Sequence, residues 1–220
     1  PQLLLALDGL EMPTAEIERI RESGVKTAVW FGDDPYYLDL TREIALHYDH
    51  VFTLDQNSVA EYQKAGAAQV HFMPFAADTS VFRPLRVDYR QQLDICFIGS
   101  AFWNRVRFFD EIAGYLKKKK LLISGIWWKR LKHYHALKPK IRLGTWMSPE
   151  NTALIYNRAK IVINLHRSHD DDSYNYNREK IPATTPNPRT FEICGSGALQ
   201  LTDMRADLPQ FYVPGEEIVV

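Results

Sequence analysis

Glu192 stands three residues after Arg189 and just ahead of Gly195 and Gly197. A carboxylate near the start of a short helix can accept both hydroxyl protons of a ribose, and the glycines let the backbone come close to a ligand. The same two charged residues can instead pair with each other along the helix, an interaction worth about 0.2–0.5 kcal/mol. Both uses are compatible, with Arg189 either orienting Glu192 or facing a phosphate. A second constellation follows the run ICFIGS from Ile95: Gly99 and Ser100 at the end of a strand, with Asn104 and Arg105 just beyond, at the start of a helix. Backbone N–H groups at a helix start suit a phosphate, and an arginine there can grip its oxygens bidentately. The plain alternative makes Gly99 a turn residue and Arg105 an exposed helix residue. Asn164 and His166 close the run IVINLH, on one side of the strand by alternation, with Arg167 beside them. A lone histidine is more often structural than catalytic, so His166 ranks second. Asp33 and Asp34 follow another apolar run; Asp34 before Pro35 reads as a helix cap, which leaves Asp33 as the functional candidate.

Two further patterns carry less. The acidic run Asp170 to Asp172 has no second carboxylate cluster to complete an oxygen cage, so no metal site is expected there. The segment GSGAL from Gly195 follows a helix and precedes a strand, the reverse of what a dinucleotide fingerprint requires.

These side chains must be placed by alternating elements. β-rich runs begin at Leu3 (LLLALD), Thr27 (TAVWF), Val51 (VFTLD) and Val70 (VHFMPF), with helical spacings between them. The rhythm resumes at Ile95, Leu121 (LLISG), Ile141 (IRLGTW), Ile161 (IVINLH), Ala198 (ALQLTD) and Glu217 (EIVV). Strands alternating with helices argue for an α/β fold with parallel sheets covered on both faces. Ser148 before Pro149 predicts a helix start, and Gly66 predicts a helix end. The segment from Pro74 to Asp94 breaks the rhythm and marks a domain boundary, giving domains 1–86 and 87–220. The polar stretch from Arg167 to Pro188 is long enough to be a functional or mobile loop.

The chain has 220 residues, 45% hydrophobic and 25% charged, which supplies a packed core. Lys plus Arg equals Asp plus Glu at 27 each, yet no acidic residue falls between Glu111 and Glu150, where ten basic residues from Lys117 to Arg142 gather. Such a patch can attract phosphates or an anionic surface, although most charge runs are simply solvated faces. Cys96 and Cys194 have neither disulfide-framework nor zinc-like spacing. The apolar opening breaks at Asp8, far short of the roughly 20 residues a membrane span needs. A soluble, cytoplasmic protein without a transmembrane segment is the expectation.

The passage MPFAADTSVFRP, from Met73 to Pro84, looks like the interdomain passage of the two-Rossmann (GT-B) glycosyltransferases. With WFGDDPYY from Trp30, FIGSAFWNR from Phe97 and NPRTFEICGSGALQLTD from Asn187, the chain resembles the spore maturation CgeB-like family. The resemblance implies two Rossmann-like domains, an incomplete N-terminal one on the acceptor side and a C-terminal one that binds a nucleoside diphosphate sugar. It implies sugar transfer to an unknown acceptor (glycan, protein or small molecule), with retention, without metal or other cofactor, and without a nucleic-acid partner. Donor binding would fall to Gly99, Ser100, Asn104, Arg105, Asn164, Asn187, Arg189, Glu192, Gly195 and Gly197, with Asp33 and His166 as catalytic candidates. The chain departs from the pattern in two respects. It begins at what looks like a middle strand and ends at a strand, as a fragment would. Of the two glutamates that related GT-B enzymes carry eight positions apart, Glu192 fits the second, while Thr184 stands where the first would be. That absence and the basic stretch support an alternative, a nucleotide- or polyanion-binding module without catalysis. A hydrolase would need a pair of facing carboxylates that the sequence does not offer.

Overall fold

Nine of the ten apolar runs form strands in a computed structural model of the protein, which describes residues 2–144 and 146–220. The chain divides into two compact units, Pro1–Phe75 with Asp172–Thr185, and Ala76–Asp171 with Pro186–Val220. The division falls at 75/76 rather than 86/87. Residues 76–86 pack with the second unit, where Phe82 is buried and the Leu85 N–H donates to Asn157 Oδ1 at 2.6 Å.

The first unit strings β1 (Leu3–Leu7), α1 (Thr14–Glu22), β2 (Lys26–Phe31), α2 (Leu38–Ala45), β3 (His50–Thr53), α3 (Gln56–Ala65) and β4 (Val70–Phe72) into a parallel sheet of order β1-β2-β3-β4. Val29, Phe31 and Val51 project from the strands onto Ile17, Ala45 and Tyr62 of the helices, one face of each helix being apolar. Gly66 ends α3 in the left-handed conformation, φ 104°, as a C-terminal glycine does. Asp55 caps the start of α3 through Asn57 N–H, and its other oxygen accepts from the N–H groups of Thr184 and Thr185 at 2.7 and 3.1 Å. One buried carboxylate thus fastens the returning segment 172–185 to this unit.

Asp34 is not a helix cap. α2 begins after Tyr37, and the Asp34 carboxyl lies buried, accepting from Thr53 Oγ1 at 2.6 Å and from the Tyr62 hydroxyl at 2.8 and 2.9 Å. Asp33 beside it is exposed.

The second unit contains β5 (Leu93–Ile98), α4 (Trp103–Glu111), α5 (Ala113–Leu116), β6 (Leu121–Gly125), α6 (Tyr134–Leu137), β7 (Ile141–Leu143), α7 (Pro149–Arg158), β8 (Ala159–Asn164), α8 (Pro188–Gly195) and β9 (Gln200–Thr202). All five strands are parallel, in the order β7-β6-β5-β8-β9. The chain starts at the middle strand, winds outward to one edge and returns to the other side, so the order reverses between β5 and β8. In such sheets ligands bind outside the carboxyl ends of the strands near that reversal. Phe97, Phe109, Leu116, Ile123 and Trp128 fill one face, while Cys96, Val162, Tyr156 and Ile193 fill the other. Ser148 caps α7 through Asn151 N–H at 3.3 Å, with Pro149 in the first turn, as its sequence predicts. The last expected strand, EIVV, contributes only isolated bridges, from Val219 to Leu201 and from Ile218 to Pro214, and Thr145 of IRLGTW lies outside the described residues. No helix among the described residues is long and apolar enough to cross a membrane.

Burial raises Asp34 from the usual carboxylate range to about 7, against the lowering effect of the hydroxyls of Thr53 and Tyr62. A carboxyl whose folded pKa lies above its unfolded value stabilises the fold fully below about pH 4, and that contribution is lost as pH rises through about 7. Asp34→Asn, which keeps the shape and cannot ionise, is expected to flatten the fall in melting temperature between pH 5 and pH 8. The effect is bounded at about 4 kcal/mol. Thermal melts of both proteins across that range check it.

Candidate functional site

The carboxyl ends of β5 and β6 approach so closely that only glycine fits. Gly125, at φ 145°, would place a Cβ 2.1 Å from the Gly99 carbonyl oxygen. That oxygen accepts from Trp128 Nε1 at 2.9 Å, and the N–H of Ala101 donates to the Ile126 carbonyl at 3.0 Å. The two strand ends are therefore locked side by side with the chain turned outward at Ser100.

Above this seam opens a cavity of about 460 Å³. Its floor is Gly99, Ser100, Ser124 and Gly125; Gly144, Trp146 and Met147 form a rim; Pro149, Thr152 and Tyr156 of α7 make one wall, and Arg189 and Glu192 of α8 another. Trp146 is 80% exposed. Arg189 and Glu192 share the wall without pairing: among the described residues no hydrogen bond or ion pair joins them or satisfies either head group. Burial raises the Glu192 pKa, and the Arg189 charge only partly offsets it.

The structure brings Gly99, Ser100, Arg189 and Glu192 into one cavity wall and assigns the other sequence candidates to its supports. Arg105 is buried at 5% exposure, where its guanidinium donates to the Leu165 carbonyl at 2.8 Å and the Ser100 carbonyl at 3.0 Å. The faces of Phe97 and Phe102 lie 5.4 and 5.1 Å from it. Neither the phosphate contact nor the exposed helix position describes it; it ties the outward turn to the end of β8. Asn104 donates to the His166 carbonyl at 2.8 Å. Asn164 donates to Asn187, Thr190 and Gln200, and Asn187 returns the bond and caps α8 through the Thr190 N–H. Gly195 and Gly197 serve packing, since added carbons would meet the Phe82 carbonyl at 2.9 Å and Pro84 at 3.2 Å.

His166 Nδ1 lies 2.8 Å from Asp203 Oδ1. Burial lowers its pKa, and the Asp203 contact opposes that shift, while Nε2 has no partner among the described residues. Asp171 is buried and accepts from the Trp103 N–H at the start of α4, a structural use for the acidic run. Among the described residues no group of three or more His, Cys, Asp or Glu is placed to hold a metal. None of the basic residues from Lys117 to Arg142 lines the cavity. Ser124, Gly125, Thr152, Tyr156 and Trp146 are among the lining residues that sequence reasoning missed, the two aromatic ones because aromatic residues at helical or strand spacing read as core.

Residues 105–220 match the family described as Glycosyl transferase-like. Spore protein CgeB of Bacillus subtilis (strain 168) is 30% identical over 210 residues, covering 95% of this chain and 66% of that protein, so the chain spans slightly less than two thirds of this relative. Among solved structures, the lipopolysaccharide outer core galactosyltransferase WaaB in its apo form aligns with 98% of this chain and 60% of its own, at TM-score 0.48 and 12% identity. AviGT4, a glycosyltransferase involved in avilamycin A biosynthesis, aligns with 96% of this chain and 81% of its own, at TM-score 0.49 and 10% identity.

Arg105→Ala is expected to cost roughly 2–4 kcal/mol of stability, because it leaves two carbonyls unpaired and empties the space between two rings. Arg105→Lys should recover less than half of this, since one ammonium cannot reproduce the planar fork. Urea denaturation followed by tryptophan fluorescence measures both.

Proposed function

The chain belongs to the glycosyl transferase-like family, and on that premise we propose that its second unit binds a nucleoside diphosphate sugar and passes the sugar to an acceptor, with retention and without a metal ion. The observation that carries the reading is the pair Arg189 and Glu192, held unpaired in one wall of a cavity at the carboxyl edge of a parallel sheet. A volume of about 460 Å³ lies within the roughly 300–1,000 Å³ of small-molecule sites. Glu192 has the chemistry to accept the two ribose hydroxyls, and the exposed face of Trp146 offers a platform for the base. Arg189, in the first turn of α8, supplies a fixed cation where the diphosphate would lie, next to the positive end of that helix.

As the bond between the sugar's anomeric carbon and the diphosphate oxygen breaks, its electron pair stays with the diphosphate and negative charge grows there. A cation and N–H dipoles already in place stabilise that charge more than they stabilise the bound donor, which lowers the barrier. The seam of Gly99, Ser100 and Gly125 would keep that geometry fixed during the reaction. His166 remains a second-rank candidate on the donor side, and the exposed Asp33 a candidate facing the cleft or the acceptor. A second reading, nucleotide binding without catalysis, has its own support: Thr184, at the position of the absent first glutamate, is tied through its N–H to Asp55 in the first unit. Release or transfer of sugar from UDP- and GDP-sugars separates the two, since a module that only binds gives no turnover.

UDP, GDP or ADP is expected to raise the melting temperature in the presence of EDTA, with stabilisation of about 2.7 kcal/mol at one hundred times the dissociation constant. A shift that disappears with EDTA would refute metal independence. Glu192→Gln should weaken a ribonucleotide more than its 2′-deoxy counterpart, because the deoxy ligand has already lost one of the two bonds. Charged hydrogen bonds of this kind contribute roughly 1.5–3 kcal/mol each. Titration calorimetry of both ligands with both proteins reads the coupling, and a value of zero removes Glu192 from the site.

A further inference from the structure

Tyr156 sits on the face of α7 that also presents Pro149 and Thr152 to the cavity, at the three- and four-residue spacings of one helical stripe. Its side chain is fully buried, with its ring 6.4 Å from that of Phe82, centroid to centroid. Its hydroxyl is closed off from solvent and has no hydrogen-bond partner among the described residues. A phenylalanine would fill the same space without the cost of burying an unpaired hydroxyl, so the oxygen calls for a use. The ionisable groups that act on this oxygen are Arg189 and Glu192 of α8 and the buried thiol of Cys96 on β5. The Glu192 carboxylate accepts no hydrogen bond among the described residues. Among the described residues, a buried, unsatisfied donor and a half-buried carboxylate without a protein partner therefore line the same cavity.

We propose that Tyr156 is a positioning residue: when a ligand draws the Glu192 side chain into place, the Tyr156 hydroxyl donates to one carboxylate oxygen and fixes the face that Glu192 turns to the ligand's vicinal hydroxyls. This rests on the reading of Glu192 as a diol-binding carboxylate. The hydrogen bond forms on loading, which leaves the hydroxyl unpaired in the free protein. It works fully only with ionised Glu192, because a carboxylate is the stronger acceptor. Neither Tyr156 nor Cys96, both with pKa raised by burial, ionises near neutrality. Burial raises the Glu192 pKa, against the lowering effect of the Arg189 charge, so Glu192 is the group in this cluster that takes up a proton as the pH falls.

The test uses Tyr156→Phe, Glu192→Ala and the double variant, with UDP, GDP and ADP as probes in titration calorimetry from pH 5 to pH 8. Tyr156→Phe is expected to raise the melting temperature of the free protein by about 2–4 °C. It should also weaken the bound probe at pH 8 by on the order of tenfold. That gap narrows as the pH falls and Glu192 takes up a proton, while titration of the probe's own phosphate affects both proteins alike. In the Glu192→Ala background the Tyr156→Phe change should no longer alter affinity. Undiminished affinity in Tyr156→Phe, or an equal loss with Glu192 absent, overturns the positioning role while leaving the nucleotide reading intact. A fall in melting temperature means that the hydroxyl is already bonded in the free protein, and it overturns the proposal too. Failure of the wild-type protein to bind any of the three probes overturns the nucleotide reading itself, and the role of Tyr156 with it.

Discussion

The contact between Gly125 and the Gly99 carbonyl is the constraint on which the site depends. Parallel strands ordinarily diverge at their carboxyl ends as the chain leaves for its helix, yet here the ends of β5 and β6 are pressed together until no side chain fits between them. A Cβ at 2.1 Å from a backbone oxygen cannot be relieved by turning a side chain, and φ of 145° lies where other residues are strained. Trp128 then binds the carbonyl that Gly125 approaches, and Ala101 and Ile126 close the seam by a backbone hydrogen bond. The floor of the cavity is consequently main chain, which presents fixed dipoles and costs no reordering when a ligand arrives.

Everything polar behind that floor is used to hold it. The outward turn at Ser100 exposes a carbonyl that Arg105 captures, and the same guanidinium reaches the end of β8, so the two central strands are joined on the side away from the cavity. Asn164 does the equivalent for α8: five side-chain bonds among Asn164, Asn187, Thr190 and Gln200 fix the first turn of the helix that carries Arg189 and Glu192. Their burial gives these bonds a low-dielectric setting, where each is stronger and each unmade one costs more. The amides determine where the charged residues stand without meeting the cavity themselves.

This division explains what was legible in the sequence. Strand runs such as ICFIGS and IVINLH are short, apolar and bounded by turn residues, and they became β5 and β8, although both strands start and end two residues earlier than the runs, which leaves His166 beyond the end of β8. Gly99, Ser100, Arg189 and Glu192 were legible because a strand end or helix start fixes where a residue lies in a parallel sheet. Arg105 was misread because its burial depends on Phe97 and Phe102 closing over it, a tertiary event with no local signature. Asp34 was misread for the related reason that Thr53 and Tyr62 lie on other elements. Residues 172–185 return to the first unit through bonds such as those to Asp55, Asn57, Asp39 and Arg42, more than a hundred positions away in the chain, and no periodicity announces them. EIVV has the composition of a strand but finds only two isolated bridges, since propensity alone cannot supply a neighbour.

Arg189 and Glu192 also bear on the kind of ligand. On a solvated helix surface, opposite charges three residues apart gain a few tenths of a kcal/mol by meeting. Here they share a cavity wall, stay apart, and Glu192 pays in desolvation, as its raised pKa records. A wall with an unpaired cation and an unpaired carboxylate complements a molecule that is anionic at one end and rich in hydroxyl donors at the other. A polymer that is anionic throughout would bring negative charge against Glu192 wherever it met Arg189. No basic side chain of the stretch that first suggested such a polymer lines the cavity, and the Lys140 ammonium donates to the Lys119 carbonyl. The arrangement of charge therefore favours a nucleoside diphosphate over a polyanion, and it does so through the one acidic side chain in the cavity wall among the described residues.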